Sequence, residues 1–173
     1  MSSFASSYIP TGAASVTRNA DVLTYPTTGW LNASAGTLYG QATQIGTLAN
    51  AMIASIDDGT GDNRIEVRYN STTTTQARFN ILAATVLQAQ LIGGTFSDLS
   101  TRTSALAYAS NDAAGYTDGT QIGTDTSVTV PTVSQIRIGV GSFSESELFG
   151  PIRRVQFYNA RLANADLQAL TSG

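Results

Sequence analysis

Apolar and polar residues alternate with a period of two along much of this chain. Within residues 63–70, three apolar side chains fall on one face of an extended chain and three charged side chains fall on the other. Residues 76–83 repeat the pattern. Since successive side chains of a strand point to opposite faces, this alternation predicts half-buried β-strands. Further strands are predicted at residues 36–45, 51–57, 85–92, 102–110, 135–140 and 152–158.

The segments between these runs contain residues that favour turns. Asp118-Gly119 is a strong hairpin signal, because a two-residue type I′ turn needs positive φ at both central positions. Residues 102–110 are apolar on both faces, which predicts a strand that lies between two layers. Only residues 162–170 have a helical pattern, with Asn164 placed to cap a short helix near Ala165 to Leu170.

The chain is expected to form one domain over residues 1–173, since no linker or change of composition divides it. Many short strands at this spacing predict an all-β protein, either a sandwich or a barrel. An apolar share of 42% is enough to supply its core.

The amino-acid composition excludes most catalytic chemistry. Charged residues make up 12% of the chain, the net charge is −3, and histidine, cysteine and lysine are absent. Without histidine or lysine, the chain lacks the usual general base and amine nucleophile. Without cysteine, it has no disulfide and cannot build the usual zinc, haem or iron–sulfur sites. We therefore expect a protein that binds or assembles and is not an enzyme.

Two classes of partner are not expected. All nine positive residues are arginines, and apart from Arg153-Arg154 they are scattered singly, so no phosphate-binding patch is evident. No apolar run approaches the ~20 residues of a membrane helix. The sequence therefore predicts no nucleic-acid partner and no insertion into a membrane.

Paired carboxylates leave one enzymatic alternative open. Glycoside hydrolysis needs only two carboxyl groups, and Glu145 and Glu147 would share one face if their segment were a strand. The flanking residues 141–144 favour a loop exposed to solvent. A glycoside hydrolase or lyase on the same sandwich is therefore the alternative to a binding module.

One acidic loop has the composition of a calcium site. Residues 57–63 supply hard oxygen ligands of the kind that calcium takes from loops. An acidic hairpin loop with no ion is the competing interpretation. No cofactor is otherwise expected, and calcium is a possible one. The candidate calcium ligands are Asp57, Asp58, Asp62 and Asn63.

Aromatic and amide side chains in loops are candidates for ligand binding, because sugars present apolar C–H faces and hydroxyl edges. The single Trp30 is close to Asn32 in sequence, although a lone tryptophan in a β protein more often belongs to the core. Loops on a rigid sandwich commonly carry function, so we expect any site at one rim. The candidate ligand-binding residues are Trp30, Asn32, Asn111, Asp112 and Tyr116.

Several ordered motifs extend from Ser6 to Thr171. The first are Ser6-Ser7-Tyr8-Ile9-Pro10-Thr11 and Val16-Thr17-Arg18-Asn19-Ala20-Asp21, and the most specific is Leu148-Phe149-Gly150-Pro151-Ile152-Arg153-Arg154-Val155 with Leu167-Gln168-Ala169-Leu170-Thr171. Together these motifs resemble the concanavalin A-like, laminin-G-like jelly-roll domain of bacteriophage tail and virion proteins. The resemblance implies two packed antiparallel sheets with a short terminal helix and no catalytic residues.

The resemblance also implies a function and a location. It predicts a virion protein that is a tail, tail-fibre or capsid-decoration module, contacts other virion proteins and binds bacterial surface carbohydrate. A homo-oligomer or repeated copy is expected, and a purely structural component without a ligand is a further alternative. Arg18 and Asp21 are expected to be structural. We expect a complete native chain, with a domain excised from a longer fibre protein as the alternative.

Overall fold

The computed structural model describes residues 22–45, 50–71, 75–97, 99–142 and 147–173, so Arg18, Asp21 and Glu145 lie outside the described residues. No helix in these ranges is long and apolar enough to cross a membrane. The elements are β1 (Leu23–Pro26), β2 (Ala35–Thr43), β3 (Ala51–Asp57), β4 (Arg64–Ser71), β5 (Thr75–Ala83), β6 (Val86–Phe96), β7 (Thr101–Ala109), β8 (Asp112–Thr117), β9 (Thr120–Asp125), β10 (Gln135–Ile138), β11 (Ile152–Tyr158) and α1 (Asn164–Thr171).

The strands form two antiparallel sheets. One sheet has six strands in the order β1-β10-β3-β4-β5-β6, and the other has five in the order β11-β2-β7-β8-β9. Sequence neighbours β3 to β6 and β7 to β9 pair as hairpins, whereas β2 lies between β11 and β7. The predicted all-β sandwich of two antiparallel sheets with one short C-terminal helix is therefore confirmed.

The core lies between the inner faces of the two sheets. Ile65 and Phe79 from the six-stranded sheet pack in one cluster with Leu38 and Leu106 from the five-stranded sheet. Gly40 faces this layer, where an added Cβ atom would lie 2.5 Å from Cγ2 of Ile53. The missing side chain therefore allows β2 and β3 to approach closely.

Strand β7 lies between two layers, as its two apolar faces predict. Leu106 and Tyr108 point into the core, while Ala105 and Ala107 belong to a second cluster on the outer face. In that cluster the small alanine side chains leave room for Leu167 of α1, which is fully buried. The helix therefore covers the outer face of the five-stranded sheet.

The turn between β8 and β9 is of the type that the sequence predicts, whereas the start of α1 differs from the prediction. Asp118 and Gly119 have φ values of 48° and 73°, which confirms the type I′ signal. The residue that caps α1 is Ala163, without a side-chain hydrogen bond. Asn164 is already helical, and its Oδ1 accepts a hydrogen bond from Arg161 instead. The expected Asn164 cap is therefore wrong.

Candidate functional site

The outer face of the six-stranded sheet carries a cluster of polar side chains, several of which are buried. On β4 the apolar residues point into the core, so the alternating charged residues point outward. Strands β3, β5, β6 and β10 add polar side chains in register with them. We call this surface the arginine face, because it holds four of the nine arginines of the chain. It comprises Ser55, Asp57, Arg64, Glu66, Arg68, Arg78, Asn80, Gln90, Gln135 and Arg137.

A central row of polar side chains crosses five strands of this sheet. Its cross-strand partners are Arg137, Ser55, Glu66, Asn80 and Gln90, in that order. Directly opposed residues in antiparallel strands project to the same face within contact distance. The register therefore produces a continuous line of planar hydrogen-bonding groups with one hydroxyl.

Glu66 is the centre of that row, and it is only 1% exposed to solvent. Its Oε1 lies 2.8 Å from Nε of Arg64, and its Oε2 lies 3.6 Å from Nε of Arg68. Asn80 donates to the same Oε2 at 3.0 Å, and its own Oδ1 accepts from Arg78 at 3.3 Å and from Gln90 at 3.5 Å. Burying a polar group is costly unless it is hydrogen-bonded, and here the network also fixes the side chains around the carboxylate.

Asp57 forms a second buried cluster beside the row. Its carboxylate is fully buried and accepts hydrogen bonds from Ser55 at 3.1 Å, the Gly59 amide at 2.9 Å and Gln135 at 2.7 Å. It also forms an ion pair with Arg137, whose Nε lies 3.1 Å from Oδ2. Both carboxylate oxygens of Asp57 are therefore bonded to protein donors.

Arg68 and Arg78 lie directly opposite each other on β4 and β5. Burial lowers the pKa of Arg68, Glu66 raises it, and the positive charges of Arg78 and Arg64 lower it again, with a net decrease. The pKa of Arg78 is also lowered, by burial first and by Arg64, against the opposing effect of Glu66. The positive charge of Arg78 therefore adds to the cost of keeping Arg68 charged on this face.

Solvent exposure of the arginine face increases towards β6. In the row that contains the arginine pair, Met52 on β3 is 1% exposed and the Arg68 side chain is 11% exposed. Arg78 is half-buried, and Ile92 on β6 is 39% exposed. A ligand would therefore reach this face from the side of β5 and β6.

The ligand-binding candidates lie mostly at one rim of the sandwich, where the structure gives them structural partners. Trp30 follows β1 and is half-buried; its Nε1 donates to the Pro26 carbonyl at 2.7 Å, and its ring packs edge-on against Phe157. The Asn32 amide groups bond to the side chain and carbonyl of Asn159 at 2.8 and 3.1 Å. Both residues thus fix the loop between β1 and β2.

The remaining candidates divide between the rim and the helix-covered face. Asn111 has a φ of 57° in the turn between β7 and β8 and donates its backbone N–H to the Val128 carbonyl. Asp112 begins β8 and forms a two-bond ion pair with Arg161 at 2.8 and 2.9 Å. Tyr116 is 5% exposed, away from the rim, and packs in the cluster beneath α1. The structure therefore does not bring all five candidates together, and their role in binding stays a prediction.

The calcium candidates form one compact loop between β3 and β4. Asp58 accepts hydrogen bonds from Thr60, the Gly61 amide and Asn63, whereas Asp62 is exposed. Partial burial raises the pKa of Asp58, but these hydrogen bonds outweigh it and lower the pKa to about 2. Asn63 Oδ1 also accepts from the Ala84 amide.

Hydrogen bonds within the protein organise this loop. Within the described ranges, no three histidine, cysteine, aspartate or glutamate side chains form a group that could hold a metal. Calcium binding by Asp57, Asp58, Asp62 and Asn63 stays a prediction.

The sequence contained a signal for the arginine face that motif searching missed. Arg64, Glu66 and Arg68 alternate outward on one predicted strand, and Arg78 and Asn80 do so on the next. Pairing these two strands through the turn-rich residues between them places the two polar sets on one face. Treating the alternation only as evidence for strands left this surface unrecognised.

Comparisons with known proteins establish the fold and no more. No family model matches the sequence, and no curated protein matches it. Solved structures do match, including a heptameric SAP-like pentraxin from Limulus polyphemus with a TM-score of 0.65 and 13% identity, covering 79% of this chain and 69% of that one. The fold is a jelly-roll sandwich.

Two further matches come from sialidases. The CBM40 module of the Ruminococcus gnavus IT-sialidase, bound to α2,3-sialyllactose, has a TM-score of 0.66 and 15% identity over 80% of this chain and 83% of the module. The leech intramolecular trans-sialidase has a TM-score of 0.68 and 12% identity, and the match covers 86% of this chain but 26% of the enzyme. At identities this low, the likeness concerns the jelly roll alone. None of these matches links the chain to bacteriophages.

Proposed function

We propose that this jelly-roll sandwich is a carbohydrate-binding module without catalytic activity, and that it binds saccharide on the arginine face. The observation that carries the proposal is the accessible edge of this polar row, where the exposed Gln90 and the half-buried Arg78 adjoin the buried network around Glu66 and Asn80. Amide and guanidinium groups donate hydrogen bonds to sugar hydroxyls in fixed directions. Because the network around Glu66 fixes these groups before a ligand arrives, little further ordering is needed on binding.

The fold neighbours support this choice over an enzyme. One of them is a carbohydrate-binding module seen with sialyllactose. In the chain itself, the two buried carboxylates of the arginine face are held by arginine side chains. A glycosidase needs carboxyl groups that face the scissile bond of its substrate, whereas these two are bonded to protein donors.

Saccharide binding is tested on a glycan array with purified protein and confirmed by titration calorimetry. We expect binding that weakens about tenfold in Gln90→Ala, because Gln90 is the exposed end of the central row. Gln168→Ala is the matched control, since Gln168 is exposed on α1 at the other sheet. Absence of binding to every saccharide at millimolar concentration, or reducing-sugar release by the protein, would contradict the proposal.

We further propose that the module acts on the exterior of a bacteriophage particle, as a receptor-binding or decorating component in repeated copies. The support is the set of ordered sequence motifs from Ser6 to Thr171 that resemble phage virion domains. The surface composition is compatible with this role, since a chain with 12% charged residues can pack against neighbours at a small desolvation cost.

A further inference from the structure

The arginine face carries more positive than negative charge around Glu66. Glu66 is in contact with Arg64 at 2.8 Å and with Arg68 at 3.6 Å, and Arg78 lies across from Arg68. The nearby carboxylate of Asp57 is already bonded to Arg137, Gln135, Ser55 and the Gly59 amide. Among the described residues of this face, four arginines therefore accompany two carboxylates, in a protein whose net charge is −3.

The Arg68–Arg78 pair is the least compensated part of this cluster. Like charges directly opposite each other on neighbouring strands destabilise a sheet. Within the described part of the chain, the polar contact of Arg68 is Glu66 at 3.6 Å, and that of Arg78 is the uncharged amide of Asn80. The next residues in the row, Met52 and Ile92, are apolar and contribute no counter-charge.

We propose that Arg68 and Arg78 form a subsite for the carboxylate group of an acidic saccharide, with Gln90 beside them for a neighbouring hydroxyl. The inference rests on the proposed function and specifies its ligand class. A carboxylate placed between two guanidinium groups accepts charge-assisted hydrogen bonds from both and removes the repulsion between them. The position is reached from the open side of the face, because Arg78 is half-buried and Gln90 is exposed.

The test compares an oligogalacturonide and 3′-sialyllactose with their neutral counterparts, the carboxyl-reduced oligosaccharide and lactose. We expect at least one acidic saccharide to bind about tenfold or more tightly than its neutral counterpart, as for one charge-assisted hydrogen bond. The affinity difference should shrink as salt is raised. Calorimetry or NMR titration measures it.

Arg78→Gln should remove that preference for the acid, so that the acidic saccharide binds no more tightly than its neutral counterpart. Arg153→Gln is the control, because it removes the same charge from an exposed position on β11 in the other sheet. Arg68→Gln is expected to behave as Arg78→Gln does. Since Arg68 is the more buried of the two, its melting temperature is measured first, and Arg78→Gln decides the test if Arg68→Gln does not fold.

The possible outcomes separate this inference from the proposed function. Equal binding of acidic and neutral saccharides would overturn the subsite and leave the carbohydrate-binding function intact. Preferential binding of a sulfated saccharide over the carboxylated ones would overturn the carboxylate assignment. Failure of every saccharide to bind would overturn both.

Discussion

Asp57 shows how far residue type alone can predict a role. Its place in an acidic loop predicts a calcium ligand. The sequence shows this position in the loop but not the partners of the side chain. Its partners Gln135 and Arg137 lie on β10, which is far away in sequence and adjacent in the sheet. Since those partners depend on the pairing of β10 with β3, no local pattern could have revealed them.

The buried state of Asp57 predicts a large effect on stability. Asp57→Asn should lower the free energy of unfolding by about 2–4 kcal/mol, because Arg137 loses its counter-charge and one carboxylate acceptor becomes a donor. Urea denaturation followed by fluorescence measures the change. Asp62→Asn is the matched control in the same loop, and its exposed side chain should make the effect smaller than about 0.5 kcal/mol. Equal effects of the two substitutions would contradict a structural role for Asp57.

The candidate residues at the rim also have partners that are distant in sequence. Trp30 and Asn32 have the side chains of a sugar site, but Phe157 and Asn159 pack and bond against them in the fold. The arginine face could have been predicted better, since Glu66 and Asn80 are separated by a single hairpin. The pairing of two strands that are neighbours in sequence can be inferred from the alternation of polar and apolar residues. Contacts between strands that are distant in sequence cannot be inferred in this way.

At the scale of elements, strands with a clear period-two alternation were predicted well, whereas β1, β8 and β9 were not predicted. Residues 63–70 and 76–83 match β4 and β5 within a residue or two at each end. Strand β8, Asp112–Thr117, was not predicted, because its sequence DAAGYT has no period-two pattern. Its inner face packs on the core and its outer face lies under α1, so alternation had no reason to appear.

The docking of α1 on the five-stranded sheet makes a prediction for that element. Leu167→Ala should lower the free energy of unfolding by about 2–4 kcal/mol, because a fully buried side chain leaves a cavity against Tyr39 and Tyr116. Gln168→Ala, one position along and exposed, should change it by less than about 0.5 kcal/mol. Chemical denaturation measures both.

The Leu167→Ala variant also tests whether the two outer faces of the sandwich are independent of each other. Saccharide affinity should be unchanged in folded Leu167→Ala, since α1 and the arginine face lie on opposite sheets. A loss of affinity in this variant under conditions where it is folded would show that the two sheets are coupled.

At the scale of the whole molecule, the two outer faces of the sandwich carry different structural features. Helix α1 covers part of the five-stranded sheet, while the six-stranded sheet presents the arginine face with its exposed side at β6. The sequence predicted two sheets but could not show which outer face the terminal helix covers. A face that is exposed along its β6 side suits a module that is held in an assembly on one side and binds a ligand on the other.

Repetition is the expected way for such a face to bind a cell surface. One saccharide site on an open sheet offers few contacts, and repeated copies raise the apparent affinity by ~10²–10⁴ without any new contact. On the phage role proposed above, we therefore expect the chain to be present in many copies on the exterior of purified phage particles. Mass spectrometry of the particles gives its copy number, and immunogold electron microscopy on intact particles gives its position, with an internal virion protein as the negative control for labelling. Finding the chain only in the cytoplasm of infected cells, or only inside opened particles, would contradict the placement while leaving the saccharide-binding face to be judged on its own titrations.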